Sequence, residues 1–167
     1  MSVPGFGIQA SALDFSPIAA GKATRIALGI DLTCDLRPAD EITLVLPHLT
    51  GTDNTDLELE SDDGLLGFAS AFRGSWVEAS TTLTLNATHA VTAGYRHVFV
   101  KESNGLKLPS HGVRNGTSFT VRLNANCTGG EMERVDVGSY PVLGTIDRSS
   151  LSFLKRHAAS PTAITVA

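Results

Sequence analysis

Apolar and polar residues alternate with a period of two along much of this chain, and sustained helical periodicity is hard to find. In "RIALGIDLTCD" (25–35), Ile26, Leu28, Ile30, Leu32 and Cys34 share one parity, while Arg25, Asp31, Thr33 and Asp35 fall on the other. Successive strand side chains point to opposite faces, so the run predicts a half-buried strand with Cys34 on its core side. "EITLVLP" follows the turn-like "RPAD" and directs Ile42, Leu44 and Leu46 inward; Pro47 ends it, having no N–H for the ladder. Further on, Leu83 and Leu85 alternate with outward Thr82, Thr84 and Asn86. "GYRHVFVKE" sets Val98 and Val100 on one face and Tyr95, His97 and Phe99 on the other. In "SFTVRLNANCTGG" (118–130) the inward parity is Phe119, Val121, Leu123, Ala125 and Cys127, and the outward one is Arg122, Asn124 and Asn126.

The segments between these runs are rich in turn residues. "HLTGTDNTDLELESDDG" reads as an acidic connection with a short strand at "LELE", and "SNGLKLPSHGVRNG" as loop. "GLLGFASAF" fits a Gly-containing strand or a short helix, and "SYPVLGTI" and "SSLSFL" add two strand candidates. About eight or nine short strands separated by turns predict an all-β fold, an antiparallel β-sandwich of immunoglobulin-like type, with a closed β-barrel or jelly roll as the alternative. Residues 1–19 read as an N-terminal lead with an edge strand, and 20–156 as the sandwich. "HAASPTAITVA" (157–167) can be laid on "FSPIAAGKATRIALG" (15–29), so it reads as a linker and the first strand of a following copy.

Composition narrows the setting. A chain of 167 residues suits one domain, and charged residues are only 18%, so the surface must lean on neutral Thr, Ser, Asn and Gly. A net charge of −4 argues against a nucleic-acid partner or an anionic membrane surface. No apolar run approaches the ~18–20 residues of a membrane-inserted span. "MSVPGFGIQASALDF" has neither the basic nor the apolar region of a signal peptide, and "SPTAITVA" stops within a strand-like alternation. Either the protein stays inside the cell or it is a fragment of a longer secreted chain, and the interrupted alternation reads as that of an excised piece.

Cys34 and Cys127 each end an inward alternation, which leaves open a disulfide between two core strands or two buried thiols. Three Asn-X-Thr triplets, at Asn86, Asn115 and Asn126, are N-glycosylation candidates, two on outward strand faces and one in a turn. Asp53, Asp56, Asp62 and Asp63 could offer oxygens to Ca2+, but they lack the spaced loop of a dedicated calcium site; a solvated acidic loop is the simpler reading, as it is for Asp31, Asp35, Asp40 and Glu41. No other cofactor is implied. "GFGIQA" lacks a preceding strand and following helix, "AAGKAT" lacks the first glycine of a phosphate loop, and neither G-x-S-x-G nor H-E-x-x-H occurs. Trp76 fits either a core anchor or a sugar platform, and Tyr95 is a second ligand-binding candidate.

The succession "IALGIDLT", "PADEITLVLPHLTG", "FRGSWVEASTTLTLNAT", "AGYRHVFV", "GLKLPSHGVRNGTSFTVRL" and "VGSYPVLGTIDRSSLSFL" resembles the repeated β-sandwich, Ig-like units of very large surface proteins of algae and other protists. "LPHLTG" (46–51) and "LPSHGVRN" (108–115) carry the likeness most directly. The resemblance implies a non-enzymatic extracellular module, structural or adhesive, repeated in tandem within a cell-surface or filamentous protein. Its partners would be neighbouring copies of itself. A carbohydrate- or protein-binding sandwich is the alternative, with glycans as ligand.

Overall fold

The structure is a computed structural model that describes residues 7–61, 68–143, 151–153 and 164–166. Along the chain the strands are β1 (Ile8–Ser16), β2 (Arg25–Leu32), β3 (Glu41–Val45), β4 (Asn54–Leu57), β5 (Leu59–Glu60), β6 (Phe72–Val77), β7 (Thr82–Ala87), β8 (Gly94–Val100), β9 (Thr120–Ala125), β10 (Gly130–Glu131), β11 (Val135–Asp136), β12 (Leu151–Phe153) and β13 (Ile164–Val166). One sheet has the order β1-β2-β8-β5; the other runs β10-β9-β3-β7-β6-β4, with β11 beside β10 on the outer edge of β9. Every named pairing is antiparallel, including that of β12 with β13. The fold is an all-β antiparallel sandwich.

Period-two patterning explains both layers. In the first sheet Leu28 lies between Leu13 and Val98, and Ile26 between Phe15 and Val100. In the second, Leu44 lies between Leu83 and Val121, and Ile42 between Leu85 and Leu123. These apolar rows are buried. Removing each such side chain from water stabilises the fold by roughly 1.5–3 kcal/mol. Phe15 from one layer meets Phe119 from the other at 6.0 Å between ring centroids. The free edge of β1 is partly covered: Leu13 N–H donates to Ser139 O at 2.8 Å, and Gly138 N–H to Ser11 O at 3.0 Å.

Parity fails at one informative place. β9 ends at Ala125, and Asn126–Thr128 form a single turn of 3-10 helix closed by Gly129 at φ 73°. A strand's alternation cannot be carried into such a turn. Cys127 is therefore exposed rather than inward, and Cys34, beyond the end of β2, is half-buried. The two nevertheless form a disulfide, with Cα atoms 6.2 Å apart. It fastens one pole of the sandwich, where β2, β7 and β9 end and β3 and β8 begin, instead of crossing the core.

Two further segments resolve. Phe68–Ala71 of "GLLGFASAF" is 3-10 helix and the strand begins at Phe72, while 62–67 lie outside the described residues. Of "SYPVLGTI", the described part contributes isolated bridges, Ser139 to Ala12 and Leu143 to Val113, and 144–146 lie outside.

Candidate functional site

The outer face of the four-stranded sheet carries the most distinctive surface. Antiparallel register aligns Asp31 with Tyr95, Gly29 with His97 and Ala27 with Phe99, and continues onto β1 through Ala10, Ala12 and Asp14. Tyr95, His97 and Phe99 thus form a row along β8, as their parity predicts, beside a terrace of small residues. The Arg25 guanidinium lies 3.8 Å from the centroid of the Phe99 ring, and its Nε sits 2.8 Å from Glu60. The pair is solvent-accessible and contributes at most about 1 kcal/mol, so its main effect is to roof the Phe99 ring. His97 stacks on Phe99 at 6.0 Å, and Tyr95 meets the edge of His97 at 5.0 Å. The Tyr95 side chain leans across β2: a Cβ at position 29 would fall on its hydroxyl, so the ring needs glycine beneath it. At 51% exposure Tyr95 is left open to solvent, held from below and from one side.

Trp76, the other ligand candidate, is 1% exposed, and its Nε1–H points to Gly51 O at 3.4 Å. Burial in the core removes it as a binding platform.

The disulfide pole is the second cluster. Asp40 is only 7% exposed, and each of its carboxylate oxygens accepts a backbone N–H, from Arg37 at 2.7 Å and from Asn126 at 3.0 Å. Asp35 accepts the N–H of Ala93 at 2.7 Å. Asp35 stays exposed, as expected of a solvated turn carboxylate, whereas for buried Asp40 that expectation is corrected. The signal was in "RPAD", where Asp40 closes the turn on Arg37 through Ala39 at φ 77°. Its second partner, Asn126, comes 86 residues later and has no local signature.

The three sequon asparagines are dispersed. Asn115 is exposed in a turn, Asn126 is exposed at the disulfide pole, and Asn86 is half-buried on the outer face of β7 between Glu41 and Arg73. None lies on the Tyr95 face. Among the metal candidates, Asp53 accepts the N–H of Glu78 at 2.7 Å and Asp56 stands 3.4 Å from Arg73. Asp62 and Asp63 lie outside the described residues, among which no three His, Cys, Asp or Glu side chains converge to hold a metal. A pair the sequence did not suggest is His48 with His111, edge to face at 5.3 Å on the opposite pole.

The class defined by this geometry is a disulfide-closed β-sandwich. No protein-family model matches the chain, and no curated protein matches it. Among solved structures it is similar to the second type II cohesin module from the cellulosomal adaptor ScaA scaffoldin of Acetivibrio cellulolyticus, at 12% identity over 83% of this chain and 97% of that one, with a TM-score of 0.33. A second structure of that module, including a long C-terminal linker, gives 12% identity over 86% and 92%, again with a TM-score of 0.33. A likeness of that degree carries no inference about function.

Proposed function

We propose that the protein is a non-enzymatic extracellular module, structural or adhesive, that works as one bead of a larger cell-surface or filamentous assembly. The observation that carries this reading is the Cys34–Cys127 disulfide at a solvent-facing pole. Such bonds persist in oxidising compartments and are rare in reducing ones. Two of the three sequon asparagines stand exposed, as glycan acceptors in a secreted protein must. The course of the chain also suits a string of beads. Gly7 is tied to Thr33 at the disulfide pole, with hydrogen bonds of 2.8 and 3.0 Å, and Leu143 N–H donates to Val113 O at 2.8 Å at the opposite pole. Between these two anchored points the described chain connects opposite poles of the sandwich, an arrangement compatible with copies joined head to tail.

The test is expression through a eukaryotic secretory pathway, followed by mass spectrometry. Secreted protein with Cys34 and Cys127 oxidised and glycan on at least Asn115 supports the reading. Free thiols with unmodified asparagines in secreted, folded protein would reject it.

The exposed Tyr95 ring favours a second reading, a carbohydrate- or protein-binding module. Aromatic faces beside small residues accept apolar sugar or peptide surfaces. This reading requires that the isolated protein bind a free ligand and that Tyr95→Ala abolish binding while leaving stability within ~0.5 kcal/mol. The bead reading requires association of copies instead.

A further inference from the structure

One residue, Cys127, belongs both to the disulfide and to a glycosylation triplet, Asn126-Cys127-Thr128, and the fold sets these two chemistries against each other. Once the pole has formed, the triplet is wound into a 3-10 turn by Gly129 N–H donating to Asn126 O at 3.1 Å. The Thr128 hydroxyl, which completes the acceptor triplet, is held inside that turn. Its Oγ1 lies 2.8 Å from Ala125 O and 2.6 Å from Gly130 O, two acceptors for its single proton. The Asn126 N–H is held by the buried Asp40 carboxylate at 3.0 Å, and the middle residue is bonded to Cys34. An enzyme that must draw all three residues into its own site cannot do so without undoing these restraints.

The folded pole nevertheless has room for the product. Asn126 borders a shallow depression of about 460 Å³ lined by Ala39, Asp40, Asn124, Gly129 and Gly130. The space beside Asn126 is open to solvent, so a sugar carried on its side chain would not have to enter the core.

We propose that closure of the Cys34–Cys127 disulfide shuts the Asn126 acceptor, so that glycan occupancy at Asn126 is set by a race between oligosaccharide transfer and thiol oxidation. The inference rests on passage of this chain through a secretory compartment. In the transfer, Asn126 Nδ2 bonds to the anomeric carbon of a lipid-pyrophosphate-linked oligosaccharide. The carbon–oxygen bond to pyrophosphate breaks, the lipid pyrophosphate leaves, and the amide gives up one proton. In the competing step the two thiols surrender two protons and two electrons to a protein disulfide, which becomes a dithiol. Cys34 lies 93 residues upstream, so at ~5–20 residues per second it precedes Cys127 by about 5–20 s. It is therefore in place before its partner arrives, and the interval left for transfer is set by the rate of oxidation itself.

The other triplets serve as internal controls. Asn115 lies in an exposed turn without a cysteine, and Asn86 is closed in by the β3 and β6 ladders rather than by oxidation. The experiment is site-resolved occupancy by peptide mass spectrometry of the full chain secreted from a eukaryotic host. Glycan is released enzymatically in heavy-oxygen water to mark each occupied asparagine. Asn126 is expected to be partly occupied, and Cys34→Ser, which leaves the triplet intact, to raise that occupancy by about two-fold or more, with Asn86 and Asn115 unchanged. A brief pulse of reductant during synthesis of the unaltered chain should give the same rise, which covers failure of the variant to fold. Full occupancy at the outset, no rise at Asn126 under either treatment, or a parallel rise at Asn86 would overturn the proposal. Absence of glycan at Asn126 under every treatment would overturn this inference, and free thiols with all three asparagines unmodified would overturn the secretory reading as well.

Discussion

Asp40 sits in "RPAD", a turn whose charges read as solvated, yet it is buried and grips two chain segments through backbone N–H groups at Arg37 and Asn126. Hydrogen bonds to a buried carboxylate are worth more than neutral ones, and removing it leaves two donors without a partner. Asp40→Ala should lower the unfolding free energy by about 2–4 kcal/mol, and Asp40→Asn by roughly half as much, because the amide keeps one acceptor oxygen. Denaturant titration with the disulfide intact measures both. A loss below ~0.5 kcal/mol for the alanine variant would show that water replaces the carboxylate without penalty. Legibility at this scale divides along the same line. Leu83, Leu85, Val98 and Val100 could be placed inward because the strand's own period decides their side, whereas Trp76 was left open between core and surface. Cys127 could not, since one residue of 3-10 turn after Ala125 is enough to void the parity. Asp40 was misjudged because its decisive partner is 86 residues away.

At the scale of elements, the legible strands are β2, β3, β7, β8 and β9. Each has a neighbour on both sides, so one face is pressed into the core and alternation is enforced on sequence. The two-residue strands β10 and β11 escaped notice because they hold to β9 by backbone hydrogen bonds while burying little side-chain surface, and a period of two needs more than two residues to appear. Burial on the outward parity has a different cause. Thr43 is 6% exposed although it faces away from the core, because its hydroxyl donates to Glu41 at 2.8 Å and Arg122 stands beside it in register. The Tyr95 face was half legible. The shared parity of Tyr95, His97 and Phe99 is in the sequence, but the glycine floor under the Tyr95 ring depends on Gly29 aligning with His97, and register between strands more than sixty residues apart leaves no local trace.

At the scale of the whole molecule, the disulfide joins the end of β2 in one sheet to the turn after β9 in the other, across 93 residues of sequence. A cross-link of that span restricts the unfolded chain far more than the folded one, a stabilisation with a ceiling of roughly 4–5 kcal/mol in the chain-entropy description. Both cysteines lie beyond the ends of the strands that carry the apolar rows, so the reduced protein should remain folded. Reduction, or the paired Cys34→Ala and Cys127→Ala replacement, is expected to lower stability by about 2–4 kcal/mol and the melting temperature by roughly 5–15 °C. The denaturant m-value should rise at the same time, since an unfolded chain freed of its 93-residue loop exposes more surface. The two signs together are diagnostic. Lost native contacts alone would lower stability at constant m, whereas release of the unfolded ensemble moves both. Equal stability in the oxidised and reduced proteins would mean that the disulfide does no more than fix the pole, and its contribution would then be confined to the local turn that carries Asn126.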